Sequence, residues 1–417
     1  MKRTVTTLLS KNNIVVKFGG SCLSSPNDVV KAAKKIAAET NKGRRVLVVV
    51  SAFTGVTDEL LNATKTSGIK KDALDEILSM GERASARLMT GALKSLGLKA
   101  VEVDPTSNKW PIVTDSNFGE AEILLEETMK NTEKKIIPLL DKGVVPVIPG
   151  FIGVSEKGKI TTLGRGGSDI TAVVMGSCIN AGEVVFVKDV GGILTADPKR
   201  VSDAQKIATL DAEEVYALTL AGAKVLHPKA LRYKKNSTIL RVVGFDDENL
   251  SGGTMIRGEL ESELNATLYE HDLSMITMIS EEASTPDLVL KVLSSASSTN
   301  AKILGVVIES SSLILYVQNP ADLVQQLHET IRTKGTAKAI HCIDSIAMIA
   351  VSGPQLEEIP GIVDIVVSPI ANKGVNIYGV LTISSSVKVF VPWKDREETL
   401  YLVNDSIKKV HQLKRGD

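Results

Sequence analysis

Ile14-Val15-Val16-Lys17-Phe18 is an unbroken apolar run apart from one lysine, and it stops at Gly19-Gly20-Ser21. The pattern predicts a buried strand feeding a glycine turn, with a helix from about Pro26. Residues 46–50 repeat it and end in Ser51-Ala52-Phe53-Thr54-Gly55-Val56-Thr57-Asp58. Apolar strands are also predicted over 144–149 and 184–188, the second closing on Lys188-Asp189-Val190-Gly191-Gly192. Helical stretches at 28–39 and from 58 onward separate the first strands, so a parallel α/β sheet is expected.

Over 72–96, Leu74, Ile77, Leu78, Ser85, Leu88 and Ala92 keep helical spacing and are expected on the inner face. Glu82 rides the edge of that face, where a carboxylate is costly without a cation. Arg83 and Arg87 are badly spaced to supply one along the helix, so a bound ammonium group becomes an alternative. Residues 211–225 are read as a helix closed by Pro228, which turns Lys224 towards an apolar face, either to snorkel to solvent or to reach a phosphate.

The C-terminal part contains a repeat. Ile303-Leu304-Gly305-Val306 and Ser310-Ser311-Ser312 return as Ile377-Tyr378-Gly379-Val380 and Ser384-Ser385-Ser386, and Pro286 maps onto Pro360 by the same shift. Each copy predicts strand, helix, two strands around a serine turn, and a second helix, so two small α+β units are stacked behind an acidic linker at 259–263. Neither copy concentrates reactive groups, so binding or assembly is expected there.

The chemistry gathers around Thr162-Leu163-Gly164-Arg165-Gly166-Gly167-Ser168-Asp169. This stretch is expected to be a loop entering a helix capped by Ser168 or Asp169. Glycines let backbone N–H groups approach an anion, the helix N-terminus favours negative charge, and Arg165 offers a fork for a carboxylate or phosphate. A plain tight turn has the same composition; company elsewhere decides. Lys17, Lys188, Lys199, Arg200 and Lys224 suit a polyphosphate. Glu82 with Ser51, Thr57, Arg165 and Ser168 suits a zwitterion. A carboxylate acceptor is already a nucleophile, so phosphoryl transfer to it needs no general base, only positioning and charge neutralisation. Lys17 is then expected to stabilise the transferring group, and Asp169 to orient Lys17 or Mg²⁺.

Bulk properties narrow the field. With 417 residues, two or three domains are expected. Lys+Arg and Asp+Glu number 49 each and aromatics make up 4 %, which argues against a nucleic-acid or membrane-surface binder. Cys22, Cys178 and Cys342 are odd in number and far apart, which fits a cytoplasmic compartment. The polar residues 1–13 do not resemble a leader, and no run is long enough to span a bilayer. The five histidines neither cluster nor pair with cysteine at metal-ligand spacing, so no metal ligands are assigned.

Together these motifs resemble the aspartate kinases (aspartokinases). The segments that carry the resemblance are Lys17-Phe18-Gly19-Gly20-Ser21, Val50-Ser51-Ala52 with Gly55-Val56-Thr57, Gly81-Glu82, and Gly164-Arg165-Gly166-Gly167-Ser168-Asp169. Lys188-Asp189-Val190, Thr195-Ala196-Asp197-Pro198 and Gly222-Ala223-Lys224-Val225-Leu226-His227-Pro228 complete it. They stand in the family's order, and the C-terminal pair is similar to its two ACT domains.

The resemblance implies an amino-acid-kinase-like α/β sandwich around a mostly parallel sheet over 1–262, followed by ferredoxin-like ACT domains over 263–343 and 344–417. It implies transfer of the γ-phosphoryl of MgATP to the side-chain carboxylate of L-aspartate, giving L-4-phosphoaspartate. That is the first step towards lysine, threonine and methionine. Residues matching Lys17 and Asp169 serve catalysis, and those matching Ser51, Thr57, Glu82, Arg165 and Ser168 hold aspartate. Those matching Lys17, Gly19, Gly20, Ser21, Lys188, Asp189, Leu194, Lys199 and Lys224 surround ATP. An effector, lysine or threonine, is expected near Pro360, Gly361, Ile362, Asn376 and Ile377, and assembly at least as a homodimer through the ACT domains. Cys22 replaces a common serine and Leu194 a common aromatic. The chain also ends soon after a helix, so reduced interleaving of the ACT units is expected. The alternatives are a glutamate or N-acetylglutamate kinase, disfavoured by Glu82 and the repeat, and a silent ACT amino-acid sensor, disfavoured by intact Lys17, Arg165 and Asp169. A fusion to homoserine dehydrogenase is not expected, given the length and the missing dinucleotide fold.

Overall fold

The computed structural model describes residues 12–415, apart from 66–67, 262, 335–336, 354–355, 357–358 and 384–385. Most of the polar N-terminal segment and two serines of the second serine turn, Ser384 and Ser385, lie outside the described residues. Two compact units meet in the chain between Leu260 and Glu261.

In the first unit the strands are β1 (Asn13–Phe18), β2 (Arg45–Val50), β3 (Ala100–Glu102), β4 (Val113–Thr114), β5 (Val145–Pro149), β6 (Ile152–Ser155), β7 (Ile160–Thr162), β8 (Glu183–Lys188), β9 (Thr209–Asp211), β10 (Ile239–Gly244) and β11 (Thr254–Arg257). Eight of them form one sheet, ordered β3-β5-β2-β1-β8-β10-β11-β9, while β4, β6 and β7 form a small second sheet. In the large sheet β10 and β11 run antiparallel and the other neighbouring pairs run parallel. The chain leaves β1 towards β2 on one side and later returns to β8 on the other, so the strand order reverses at β1. In open α/β sheets such a reversal opens a crevice at the carboxyl ends of the strands. Lys17 to Ser21 lie at that point.

Helices α1 (Pro26–Asn41), α2 (Val56–Thr64), α3 (Lys71–Ser95), α4 (Leu125–Lys135), α5 (Ile137–Asp141), α6 (Gly167–Cys178), α7 (Ala212–Leu220) and α8 (Pro228–Leu231) surround the sheet. Ile14, Val16 and Phe18 pack into one core layer with Val29, Ile36 and Met89, whereas Val15 packs into the other with Val173 and Val174 of α6. Strand alternation puts Lys17 on the face of Val15, and so towards α6.

Three local expectations are corrected. Helix α6 starts at Gly167, capped by Gly166 in the left-handed region at φ 72°. Ser168 and Asp169 are therefore first-turn residues and not caps. Helix α7 stops at Leu220, because Gly222 at φ 98° ends it: the Gly222 N–H donates to Thr219 O (3.0 Å) and the Ala223 N–H to Leu218 O (3.0 Å). This glycine-terminated turn removes Lys224 from any helix face, and it is exposed. Leu88 is 55 % exposed, since Leu78, Ser85, Met89 and Leu93 take the inner face of α3.

The second unit is antiparallel. It contains β12 (Asn265–Leu268), β13 (Leu273–Ile279), β14 (Lys302–Ile308), β15 (Ser312–Gln318), β16 (Ala339–Ser352), β17 (Gly379–Ile383) and β18 (Ser386–Pro392). Helices α9 (Pro286–Ser297), α10 (Ala321–Lys334), α11 (Ile362–Asn372) and α12 (Arg396–Arg415) complete it. The first half of β16 pairs with β13, in the order β14-β15-β13-β16; the second half pairs with β18 and β12, in the order β17-β18-β16-β12. Both halves are ferredoxin-like, as the repeat predicts, and β16 belongs to both. The first half draws its strands from β13 to β16 alone, in line with the expected reduction, and the interleaving that is present runs through β12. β12, which precedes the first half, closes the second, because a strand can be supplied from either flank of an inserted unit. Tyr316 of β15 stacks on Phe390 of β18 with ring centroids 3.6 Å apart, which joins the two halves.

A candidate active site where the strand order reverses

The carboxyl ends of β1 and β2, helices α2 and α3 and the turn entering α6 line an open cavity of about 640 Å³. Lys17, Gly20, Ser21, Ser51, Thr57, Glu82, Arg165, Ser168 and Asp169 all line it, so both expected catalytic residues and all five expected substrate residues converge. Two glycines have steric reasons to be where they are. A Cβ on Gly20 would stand 2.9 Å from Ala52 O, and one on Gly166 would fall 2.2 Å from the Cβ of His227.

Lys17 and Asp169 form an ion pair at 2.8 Å with both side chains nearly buried, and Lys188 Nζ stands 3.9 Å from the second Asp169 oxygen. Burial would raise the Asp169 carboxyl, but the charges of Lys17 and Lys188 and the backbone of His227 outweigh it and hold the group below the ordinary carboxylate range. These charges favour its ionised form. The Lys188 ammonium is pushed down by its own burial and donates to Val225 O.

Glu82 differs. It is 4 % exposed, and its Oε2 is buried without a hydrogen-bond partner. Burial pushes its carboxyl up to about 7, against the opposing pull of the Ala52 backbone and the Lys17 charge. The neighbouring arginines are engaged elsewhere, Arg83 with Asp104 at 3.0 Å and Arg87 with Glu102 at 3.0 Å. A buried acceptor that lacks a partner and opens on a cavity is suited to an incoming cation.

The expected nucleotide residues are more dispersed. The Gly19 N–H donates to Val187 O at 3.3 Å, which places it between β1 and β8, and Lys188 and Asp189 follow at the end of β8. Leu194 bridges Lys206 and is half-buried. Lys199 and Lys224 are exposed on turns, and neither they nor Leu194 lines the cavity. Cys22, buried, donates from Sγ to Val187 O at 3.4 Å, and burial raises its thiol. Among the described residues no three His, Cys, Asp or Glu side chains converge as metal ligands. In the second unit, Gly361 at φ 74° opens α11 and Asn376 is exposed, while Ile362 and Ile377 pack against one shared core.

Asp75 was legible only as a polar position in α3, yet it is 1 % exposed and lines the cavity. Its Oδ2 accepts from the backbone N–H groups of Thr162 (2.8 Å) and Gly119 (2.9 Å), and its Oδ1 from the Thr162 hydroxyl (2.9 Å). Glu120 and Phe151 also line the cavity without any sequence signal.

Comparison with known proteins agrees with this geometry. The amino acid kinase family model matches residues 12–244. An aspartokinase of Geobacillus stearothermophilus is 31 % identical over 87 % of this chain and 89 % of its own length. Among solved structures, an aspartate kinase from Synechocystis superposes with a TM-score of 0.75 at 24 % identity, covering 95 % of this chain and 69 % of that one. Escherichia coli aspartokinase III in complex with aspartate and ADP superposes with a TM-score of 0.54 at 23 % identity, over 94 % and 99 % of the two chains. The chain belongs to the amino acid kinase family, and within it to the aspartokinases.

Proposed function

We infer that the protein transfers the γ-phosphoryl group of ATP to the side-chain carboxylate of L-aspartate, releasing ADP and L-4-phosphoaspartate. The observation that carries this reading is the buried, unpartnered Glu82 oxygen in the same cavity as Arg165 and the Lys17–Asp169 pair. A substrate ammonium on Glu82 and its α-carboxylate on Arg165 and Ser168 leave the side-chain carboxylate to face Lys17. Ser51 and Thr57 complete the polar lining. A carboxylate oxygen then attacks the γ-phosphorus, the bond to the β–γ bridging oxygen breaks, and no proton need move. Lys17 neutralises charge on the transferring group, and Asp169 holds Lys17 in place. Gly19, Gly20, Ser21, Lys188 and Asp189 lie on the nucleotide side; Leu194, Lys199 and Lys224 reach ATP only from turns at the rim. Mg²⁺, where bound, supplies further charge neutralisation on the phosphates.

An N-acetylated amino acid has no ammonium for Glu82, which disfavours that acceptor. Feedback by lysine or threonine at Pro360, Gly361, Ile362, Asn376 and Ile377 of the ACT domains belongs to the same reading, with segments 263–343 and 344–417 supplying those domains behind a catalytic 1–262, β12 of the first segment completing the second domain and β16 running through both. So do a homodimeric or larger assembly through them and a cytoplasmic location. Among the described residues no helix is long and apolar enough to cross a membrane.

The test traps the acyl phosphate. Protein, MgATP and hydroxylamine are incubated with L-aspartate, L-glutamate or N-acetylglutamate. Hydroxamate from aspartate alone, lost in Lys17→Ala, supports the reading. Hydroxamate from either other acceptor in its place, or none at all, sinks it.

A further inference from the structure

Asp75 is the most buried titratable side chain in the cavity wall, and the phosphoryl-transfer scheme gives it nothing to do. Both of its oxygens are occupied: Oδ2 by the backbone N–H groups of Thr162 and Gly119, Oδ1 by the Thr162 hydroxyl. Glu82 differs in having an Oε2 without a hydrogen-bond partner. What Asp75 does have is a place between two anchors. Asp75 and Glu82 lie seven residues apart on α3, two turns and roughly 10 Å along one face. Thr162 ends β7 and stands three residues before Arg165. Gly119 belongs to a loop whose carbonyl lies against Gly164, 3.3 Å from where a Cβ would be. One carboxylate thus ties the helix carrying the ammonium anchor to the turn carrying the carboxylate anchor, and braces that turn from its far side.

We propose that Asp75 is a positioning residue that fixes the separation of Glu82 and Arg165, and thereby the length of amino acid the site accepts. The inference rests on the aspartate reading above. Its chemistry is that of an acceptor and not of a charge. Two backbone donors share Oδ2, and the third partner is a hydroxyl that can reverse its bond. An asparagine can therefore keep the whole arrangement, its oxygen taking both N–H groups and its amide donating to the Thr162 hydroxyl. Alanine leaves the buried Thr162 N–H and the half-buried Gly119 N–H without this partner, and the helix is freed from the turn.

The experiment measures steady-state hydroxamate formation by the full chain for wild type, Asp75→Asn and Asp75→Ala, with aspartate and with glutamate. For Asp75→Ala the expected results are an aspartate KM raised on the order of tenfold, an ATP KM within about twofold, and a narrowed preference for aspartate over glutamate. Asp75→Asn is expected close to wild type. A folded Asp75→Ala protein with unchanged aspartate KM overturns the inference, even if its melting temperature falls. So does an Asp75→Asn variant as impaired as the alanine one, because charge and not geometry would then matter. If Asp75→Ala does not fold, Thr162→Val, which removes only the hydroxyl bond, takes its place. A smaller rise in aspartate KM supports the proposal and no rise overturns it. Wild-type protein inactive on aspartate defeats the aspartate reading itself and this inference with it, an outcome distinct from an active wild type with an indifferent Asp75→Ala.

Discussion

Replacing Glu82 with glutamine should make the ligand-free protein more stable at alkaline pH while disabling it. Burial pushes the Glu82 carboxyl from an ordinary 4.5 up to about 7. A carboxyl raised in the folded state contributes stability that is fully present below the unfolded value and lost as pH rises through the folded one. The window here runs from about 4.5 to about 7. At ~1.4 kcal/mol for each pH unit across that gap, the loss is about 3 kcal/mol, complete by about pH 8. Glutamine keeps the shape and cannot ionise, so Glu82→Gln should match the wild type at pH 4.5 and exceed it by up to about 3 kcal/mol at pH 8. The contributions of all other titrating groups cancel in the difference. The chain has two tryptophans, and Trp110 is buried in the first unit. Urea melts of both proteins in a Trp393→Phe background, followed by Trp110 fluorescence, therefore read the relevant unit alone. The variant should bind aspartate on the order of a hundredfold more weakly at pH 8, since the substrate ammonium loses its buried partner. Stability curves that stay parallel from pH 4.5 to 8 would refute the assignment of Glu82 as a buried ionisable group. Unchanged aspartate affinity would refute its role as the ammonium anchor.

Other consequences are simpler to check. Lys17→Ala leaves Asp169 beside Lys188 only; hydroxamate formation should vanish, and the melt should show a loss on the order of 3 kcal/mol for a buried pair broken on one side. Gly166→Ala must adopt φ 72° and meet His227, so a destabilisation of at least about 2 kcal/mol with loss of activity is expected by thermal melting and the trapping assay. Asp211 caps α7, accepting from the Glu213 N–H at 3.2 Å while Glu214 accepts from the Asp211 N–H at 2.7 Å. Asp211→Ala should cost about 1 kcal/mol in a urea melt and leave the aspartate KM untouched.

Much of the site was legible because strands that end in glycine and charge announce a crevice. Lys17 follows an apolar run too regular to be a surface strand, and Glu82 stands beside arginines that helix geometry turns away. What escaped was of two kinds. β3, β4, β7 and β9 have two or three residues each, too few for a period of two to register. The second kind depends on partners distant in sequence. Nothing around Asp75 foretells that Gly119 and Thr162 will donate to it. The end of α7 is likewise set by backbone conformation. Leu220-Ala221-Gly222-Ala223 looks like a continuing apolar helix, and only the left-handed conformation of Gly222 stops it and frees Lys224.

The path of β12 sets the order in which the C-terminal part can be made. Asn265 pairs with Ser352 and Leu268 with Ile349, so a strand synthesised before the first ferredoxin-like half waits for one synthesised after it. During translation the first half can close on itself as soon as β16 begins to emerge, while β12 stays an open edge with its hydrogen-bonding groups unpaired. Closing that long loop is entropically slow, and a chain cut after the first half would keep the open edge permanently. The two halves are thus separable as architecture but not as pieces of polypeptide. A regulatory fragment intended for expression on its own must begin before Asn265 and run on through α12, whose Val403 and Ile407 fill the core of the second half.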